Sequence, residues 1–180
     1  MSDSESACTL ARIIALSDDE TKDGSLSCVS VDESLNRLSI SDDAGSETRV
    51  TVDHPFRDSI MVEDIYQDAI YPFTESIFMG ISTVLLNFGA SKDRSRFLLE
   101  AASDDSGVLN LAAEQIFTNV KASSGTGMQF LVHASFFSFR KDKVTDGLAA
   151  GSAKFAIKES KGHQPELKGI KQEVTRAARC

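Results

Sequence analysis

The chain has 180 residues, 41% of them apolar, which is enough for one domain with a sizeable core. Its net charge is −8, although residues 121–180 hold 11 basic and 5 acidic side chains. An acidic chain with a basic last third is not typical of a nucleic-acid binder, and a solvated basic surface explains that third more simply. Three cysteines without CxxC spacing, three scattered histidines and no apolar run of ~18 residues exclude a disulfide framework, a zinc site and a membrane span.

Residues 1–9 are predicted to be a flexible N-terminus, and the residues that follow are predicted to form short strands. Leu10–Leu16 is an apolar run bounded by acidic residues, as in a buried strand. Extended structure is predicted to stop at Asp53–Phe56, because Pro55 interrupts it. The other predicted strands are Ser27–Val31, Arg37–Ser41 and Arg49–Val52.

The clearest predicted helix covers Met61–Met79, where apolar residues recur with the helical period and acidic residues lie opposite. Ser59 is the predicted N-cap, and Gly80 is a natural C-terminal stop. Pro72 lies inside the pattern and predicts a kink or break near Ile70 and Tyr71.

Strands and helices then alternate, which indicates an α/β layered domain. Met128–Phe139 is predicted as a central strand, with His133 as a core histidine and with Phe136, Phe137 and Phe139 in the core. The remaining predicted elements are a strand Ser82–Phe88, helices Arg96–Ala102 and Val108–Val120, and strands Lys154–Lys158 and Leu167–Val174.

The polar loop Gly89–Arg96 lies between a predicted buried strand and a predicted helix, which is the context of a phosphate-binding loop. Such a loop needs glycines, so that backbone N–H groups can surround phosphate oxygens. It also needs a lysine for the β- and γ-phosphates and a hydroxyl for magnesium.

Several stretches resemble the motor domain of the kinesin family. Val52–Phe56 resembles its F-D-x-V-F entry, Val62–Pro72 its Q-E-x-V-Y-x-D-x-x-x-P helix, and Ser82–Gly89 its G-T-V-x-A-Y-G strand. Looser likenesses follow in the family's order, so the resemblance covers nearly all of the chain past Leu10. They are Gly107–Val120, Phe130–Leu148 and Lys154–Val174.

The resemblance places this loop at the kinesin sequence G-Q-T-G-S-G-K-T. The chain has there Gly89, Ala90, Ser91, Lys92, Asp93, Arg94, Ser95 and Arg96. Two cations replace glycines, Ser95 replaces the phosphate lysine, and Arg96 replaces the magnesium hydroxyl. The family's R-x-R-P motif is also missing at Ala15–Asp18. The resemblance therefore implies a degenerate nucleotide site with no catalytic residue and no resident metal or cofactor, ATP with Mg²⁺ being disfavoured.

Both kinesin switch motifs, N-x-x-S-S-R and D-L-A-G-S-E, have no counterpart in this chain. Asp146–Ser152 resembles the second switch superficially, but its position after Phe130–Arg140 places it at the D-L-L motif that precedes the switches. Since the switches sense the γ-phosphate, the resemblance implies that a chain without them would lack the mechanochemical cycle.

The expected fold is a P-loop NTPase-like α/β domain over residues 10–174, with a mixed central sheet, flanking helices and a C-terminal tail at 175–180. It would be incomplete relative to a full motor head. The resemblance implies a cytoplasmic, cytoskeletal location and a microtubule, tubulin or another cytoskeletal protein as partner. An open sheet edge would favour a dimer or a covering protein, and neither nucleic acid nor membrane is expected as a partner.

Three interpretations remain open at this point. The first is a non-motile, kinesin-like binding module that is not expected to be an enzyme by itself. The second is a divergent motor that still binds ATP and moves along microtubules. The third is a truncated product with no stable role.

Overall fold

The computed structural model describes residues 7–89, 97–99, 107–123, 129–141, 143–149, 156–158 and 166–175. The chain divides into two compact units, Met1–Thr118 and Asn119–Cys180. No helix in the described ranges is both long and apolar enough to cross a membrane.

The first unit contains two small sheets. Strand β1 (Leu10–Arg12) pairs in parallel with β5 (His54–Phe56), with Leu10 opposite His54. An antiparallel sheet has the order β2-β3-β4, and a helix α1 precedes it. Their bounds are α1 Asp18–Lys22, β2 Val29–Asp32, β3 Arg37–Ser41 and β4 Glu47–Thr51, with a 3-10 turn at Glu33–Leu35.

The prediction that regular structure stops at Pro55 is wrong, because Pro55 lies within strand β5. The hydrogen bonds to β1 use the flanking residues: His54 N–H donates to the Thr9 carbonyl, and the Phe56 carbonyl accepts from Ile13 N–H, both at 3.0 Å. The proline therefore occupies a position whose missing N–H would face away from the partner strand.

The long predicted helix forms as four consecutive segments rather than one regular helix. Helix α2 (Val62–Ile65) passes into a π-helical turn (Tyr66–Ile70), then into α3 (Tyr71–Ser76) and a 3-10 turn (Ile77–Met79). Because Pro72 has no N–H for an ordinary α-helical bond, the chain widens just before it, and Tyr71 N–H donates to the Tyr66 carbonyl. The break therefore lies where the proline predicts it.

The two ends of this helical stretch differ from each other. Ser59 is not its N-cap; that position is Met61, which makes no side-chain capping bond. At the other end Gly80 adopts the left-handed conformation, with φ 81°. Gly80 N–H donates to Ile77 O at 3.0 Å and Ile81 N–H to Ser76 O at 3.2 Å, which is the paired bonding of a Schellman motif.

The hydrophobic core of the first unit lies between this helical stretch, β5 and helix α4 (Val108–Ala122). Ile65, Tyr66 and Val108 are its most deeply buried large side chains. The other buried core residues are Phe56, Val62, Ala69 and Ile70.

Ser82–Phe88 does not form the predicted strand: residues 81–88 have no regular secondary structure and pair with no strand. Their apolar sequence suits a central strand, but a strand exists only where a neighbour completes its hydrogen bonds. No such neighbour occurs among the described residues.

The second unit consists of three two-stranded antiparallel pairs, β6–β11, β7–β8 and β9–β10. The pair β9–β10 joins the predicted strand Lys154–Lys158 to the start of the predicted strand Leu167–Val174. The end of that second predicted strand instead belongs to β11, which pairs with β6. The bounds are β6 Val132–Ala134, β7 Phe137–Arg140, β8 Lys143–Asp146, β9 Ala156–Lys158, β10 Glu166–Lys168 and β11 Glu173–Thr175.

Met128–Phe139 is therefore not one central strand, because β6 and β7 pair with different partners. The assignment of its side chains to the core was also wrong. His133 is exposed, and so are Phe136, Phe137 and Phe139, at 58%, 39% and 63% of their surface. A two-stranded ribbon has two faces, and in the described structure no second layer buries the aromatic one.

Candidate nucleotide-loop site

Residues 81–88 lead to the loop position and are attached to helix α3 by side-chain hydrogen bonds. The Thr83 hydroxyl donates to the Phe73 carbonyl at 3.0 Å, and the Ser76 hydroxyl donates to the same oxygen at 2.7 Å. The two hydroxyl oxygens lie 3.3 Å apart. These contacts orient one side of the segment towards the helix.

The segment alternates between a covered and a bare side, as a strand does. Thr83 and Asn87 are half-buried and Leu85 is 48% exposed. The other side carries the most exposed large apolar side chains of the segment: Val84 at 78%, Leu86 at 71% and Phe88 at 83%. The side-chain exposure of the segment therefore alternates as it does in a strand that is covered on one face only.

Of the predicted loop, only Gly89 is among the described residues. Its φ of 153° is positive, in the region that favours glycine. Ala90, Ser91, Lys92, Asp93, Arg94, Ser95 and Arg96 lie outside the described residues. Their assignment to a degenerate phosphate loop therefore stays a prediction.

On the far side of the loop position, the chain is helical at residues 97–99, and helix α4 begins at Val108. Gly107 precedes α4 and lies against the backbone at Leu98 and Leu99. A Cβ added at Gly107 would be 2.8 Å from the Leu98 carbonyl oxygen, closer than real Cβ contacts. Only glycine allows this approach without a shift of the backbone.

A buried polar network joins α4 to the π-helical turn and α3. The Tyr66 hydroxyl donates to Gln115 Oε1 and lies 3.2 Å from Thr74 Oγ1. Gln115 Nε2 donates to Glu75 Oε1 at 2.6 Å and to the Tyr71 carbonyl at 3.3 Å. Burial raises the pKa of Tyr66, so it remains a neutral donor at physiological pH.

The sequence interpretation missed this network, although a signal for it was present. Val108, Leu111, Ala112 and Gln115 follow the i, i+3, i+4, i+7 spacing of a core-facing helical stripe. Gln115 is the polar member of this stripe and is 9% exposed. A glutamine at such a position requires buried hydrogen-bond partners.

A separate cleft of 380 Å³ lies beside the π-helical turn. It is lined by the acidic residues Glu33, Asp64 and Asp68 and by Pro55, Phe56, Ile60 and Gln67. Glu33 is ion-paired with Arg57 at 2.8 Å, and the negative charges of the two aspartates make this cleft unsuited to a nucleotide's phosphates. No group of three possible metal-ligating side chains lies close enough for a metal within the described ranges.

Asp146, at the start of the superficially switch-like stretch, lies at the end of β8. Its carboxylate accepts backbone N–H groups from Lys171 at 2.7 Å and Leu148 at 2.8 Å and is 4% exposed. These bonds lower the pKa of Asp146. The carboxylate thus joins the β7–β8 hairpin to the chain before β11, which is a structural role.

A family model described as the kinesin motor domain matches residues 12–179. The chain belongs to the kinesin motor domain family. This membership confirms the resemblance deduced from the ordered sequence stretches.

The fold agrees with that of a solved kinesin. A structure of a fast kinesin aligns with 92% of this chain at a TM-score of 0.82 and 20% sequence identity. The alignment covers 47% of the fast kinesin's chain. The expected fold class, an α/β kinesin motor fold in partial form, is therefore confirmed.

Two curated relatives show how much of a kinesin this chain spans. It is 23% identical over 126 residues to kinesin-like protein KIN-7L of Oryza sativa subsp. japonica, covering 70% of this chain and 19% of the rice protein. It is 22% identical over 120 residues to the kinesin heavy chain of Caenorhabditis elegans, covering 65% of this chain and 15% of the worm protein. The chain thus spans less than a fifth of either relative.

Proposed function

We propose that this chain is a kinesin-like, microtubule-associated protein of the cytoplasm and cytoskeleton that acts as a non-motile binding module. Its nucleotide loop is degenerate, and its partner is a microtubule, tubulin or another cytoskeletal protein. A further protein surface covers the bare side of residues 81–88. The domain would extend over residues 10–174, between a flexible N-terminus and a short tail.

The observation that carries this proposal is the composition of the loop at the family's nucleotide position. Lys92 and Arg94 place bulky side chains where the backbone of such a loop must approach phosphate oxygens. Ser95 has no charge to offer the β- and γ-phosphates, and the guanidinium at Arg96 would repel Mg²⁺. The fast kinesin was analysed for its ATPase mechanism and its interactions with microtubules. We propose that this chain shares the interaction with microtubules and lacks the ATPase activity.

The second candidate function is a divergent motor that binds ATP and moves along microtubules. The fold agreement, with a TM-score of 0.82, favours it. Three cations in the loop, Lys92, Arg94 and Arg96, also favour it, because they can attract an anion. The missing loop lysine opposes it.

Binding of a fluorescent ATP analogue, with and without Mg²⁺, separates the two functions. The chain is expected to show no Mg²⁺-dependent binding. A matched variant with K92G, R94G, S95K and R96T restores the loop chemistry and is expected to bind more tightly than the unmodified chain. Mg²⁺-dependent binding by the unmodified chain at micromolar analogue would overturn the proposed non-motile function.

Microtubule co-sedimentation tests the partner. The chain is expected to pellet with microtubules to the same extent with ATP, with ADP and without nucleotide. Absence from the pellet under all three conditions would reject microtubule association.

A cooperative thermal unfolding transition of the soluble chain would exclude a truncated product with no stable structure.

A further inference from the structure

The 380 Å³ cleft beside the π-helical turn takes no part in the buried polar network or in the loop position. We propose that this cleft is a docking site for an arginine side chain carried by a basic segment of a partner protein. The inference concerns a second interaction surface and does not depend on the nucleotide or microtubule function proposed above.

The more buried lining residues of the cleft are apolar and form its floor. Pro55 and Phe56 come from strand β5 and are buried, and Ile60 is half-buried. The volume of 380 Å³ lies at the lower end of the range of small-ligand pockets, which is enough for one long side chain. An apolar floor of this kind accepts the methylene stem of such a side chain while its charged end stays at the rim.

The exposed lining residues form a polar rim. Asp64, Gln67 and Asp68 follow one another at the i, i+3 and i+4 positions of the helical stretch, so they share one face. Neither aspartate carboxylate forms an ion pair or a hydrogen bond with a described residue, whereas Glu33 is paired with Arg57 at 2.8 Å. Two like charges at this spacing repel each other, and a bound cation would remove that repulsion.

An arginine satisfies both parts of the cleft. Its guanidinium is planar and carries five N–H donors, so it can donate to the carboxylates of Asp64 and Asp68 while its stem lies on the apolar floor. A metal ion would leave that floor uncovered. A lysine ammonium offers the same charge without the fixed fork of donors, so it should bind more weakly.

The charge of the surrounding chain also favours a basic partner. Residues 1–120 hold 22 acidic and 8 basic side chains, so the potential around the cleft attracts cations and repels anionic partners. Complementary charge of this kind speeds encounter and selects the partner. Binding at the cleft should therefore weaken as salt screens the attraction.

Backbone amide NMR of the full chain, titrated with a capped peptide of alternating arginine and glycine, tests the site. Saturable shifts are expected at the amides of residues 55–68. The same peptide with citrulline in place of arginine keeps the shape and removes the charge, and it is expected to give no saturable shift. A lysine peptide should bind several-fold more weakly. Equal binding of the citrulline peptide, or shifts spread evenly over the chain, would overturn the proposal.

Paired variants separate the cleft from the general negative charge. Asp64→Asn combined with Asp68→Asn should weaken binding of the arginine peptide about tenfold or more, because both charged acceptors are lost. Asp18→Asn combined with Asp43→Asn removes the same charge at two exposed positions outside the cleft and should change binding about twofold or less. Equal losses in the two double variants would reduce the effect to long-range attraction and reject a docking site.

Gln67→Glu gives a readout that a folding defect cannot imitate. It adds a third carboxylate at the rim and should tighten binding of the arginine peptide several-fold. Unchanged or weaker binding by Gln67→Glu, with an unchanged thermal midpoint, would contradict the proposal. So would Ca²⁺ alone producing the same amide shifts at the concentration at which the peptide does, because the cleft would then be an ion site.

Discussion

Asp53 connects the starts of the two parallel strands of the first unit. Its carboxylate accepts hydrogen bonds from the backbone N–H and the hydroxyl of Thr9, both at 2.7 Å. Asp53 N–H donates in return to the Thr9 carbonyl at 3.0 Å. The side-chain bond from Thr9 and then the backbone bond hold the pKa of Asp53 below its usual range.

This shift predicts how stability depends on pH. Because the folded-state pKa of Asp53 is lower than its unfolded value of about 3.9, its contribution is present above that value and is lost as the pH falls through the folded pKa. Asp53→Asn should lower the free energy of unfolding at pH 7 and reduce its decline below pH 4, as measured by urea unfolding. Asp43→Asn, in an exposed turn, is the control, and equal acid slopes for both variants would contradict the assignment.

At the scale of elements, Gln115 connects α4 to the irregular helical stretch. Gln115→Leu should cost about 1–3 kcal/mol in the free energy of unfolding, because it removes the amide oxygen that accepts from the Tyr66 hydroxyl and the amide donor to Glu75 and the Tyr71 carbonyl. Gln67→Leu, the same change at an exposed position of the π-helical turn, should stay within about 0.5 kcal/mol of the unmodified chain. Equal losses of unfolding free energy in the two variants, measured by denaturant unfolding, would show that the buried network does not stabilise the fold.

Elements defined by local chemistry could be predicted from the sequence. Pro72 and Gly80 act on their own neighbours through a missing N–H and a left-handed backbone, and both effects occur where expected. Strands depend on partners elsewhere in the chain. Ser82–Phe88 does not form its predicted strand, because no described strand pairs with it. Met128–Phe139 does not form one strand, because β6 and β7 pair with different partners elsewhere in the chain.

The site was predictable only in part. The family and the loop position follow from ordered motifs, whereas the Tyr66–Gln115 contact joins residues 49 positions apart. No local pattern specifies such a pair. The chemistry assigned to Lys92, Ser95 and Arg96 stays a prediction, which the nucleotide experiment tests.

At the scale of the whole molecule, the buried apolar core found among the described residues lies in the first unit. All seven buried core residues lie between Phe56 and Val108. Among the described residues of the second unit, Asp146 is the buried one, and its partners are backbone N–H groups. The two units should therefore differ in stability, because apolar burial supplies most of the stabilisation of folding.

Hydrogen exchange tests this difference. Amides of α4 and the π-helical turn should exchange much more slowly than those of β6, β7 and β8. Ile65→Ala should cost about 2–5 kcal/mol, and Val144→Ala, at a half-buried position of β8, less than half as much. Uniform protection across both units would mean that the chain unfolds as one cooperative body.

The π-helical turn at Tyr66–Ile70 has a consequence for how this protein can be compared with its relatives. A turn closed by an i to i+5 bond contains one residue more than an ordinary α-helical turn. Deleting one residue here would narrow the turn to α-helical width and leave the orientation of α3 unchanged, so that Glu75 would still face Gln115. Relatives with a one-residue gap in this turn should therefore keep a hydrogen-bonding side chain at the position of Gln115, because the gap does not move its partner on α3.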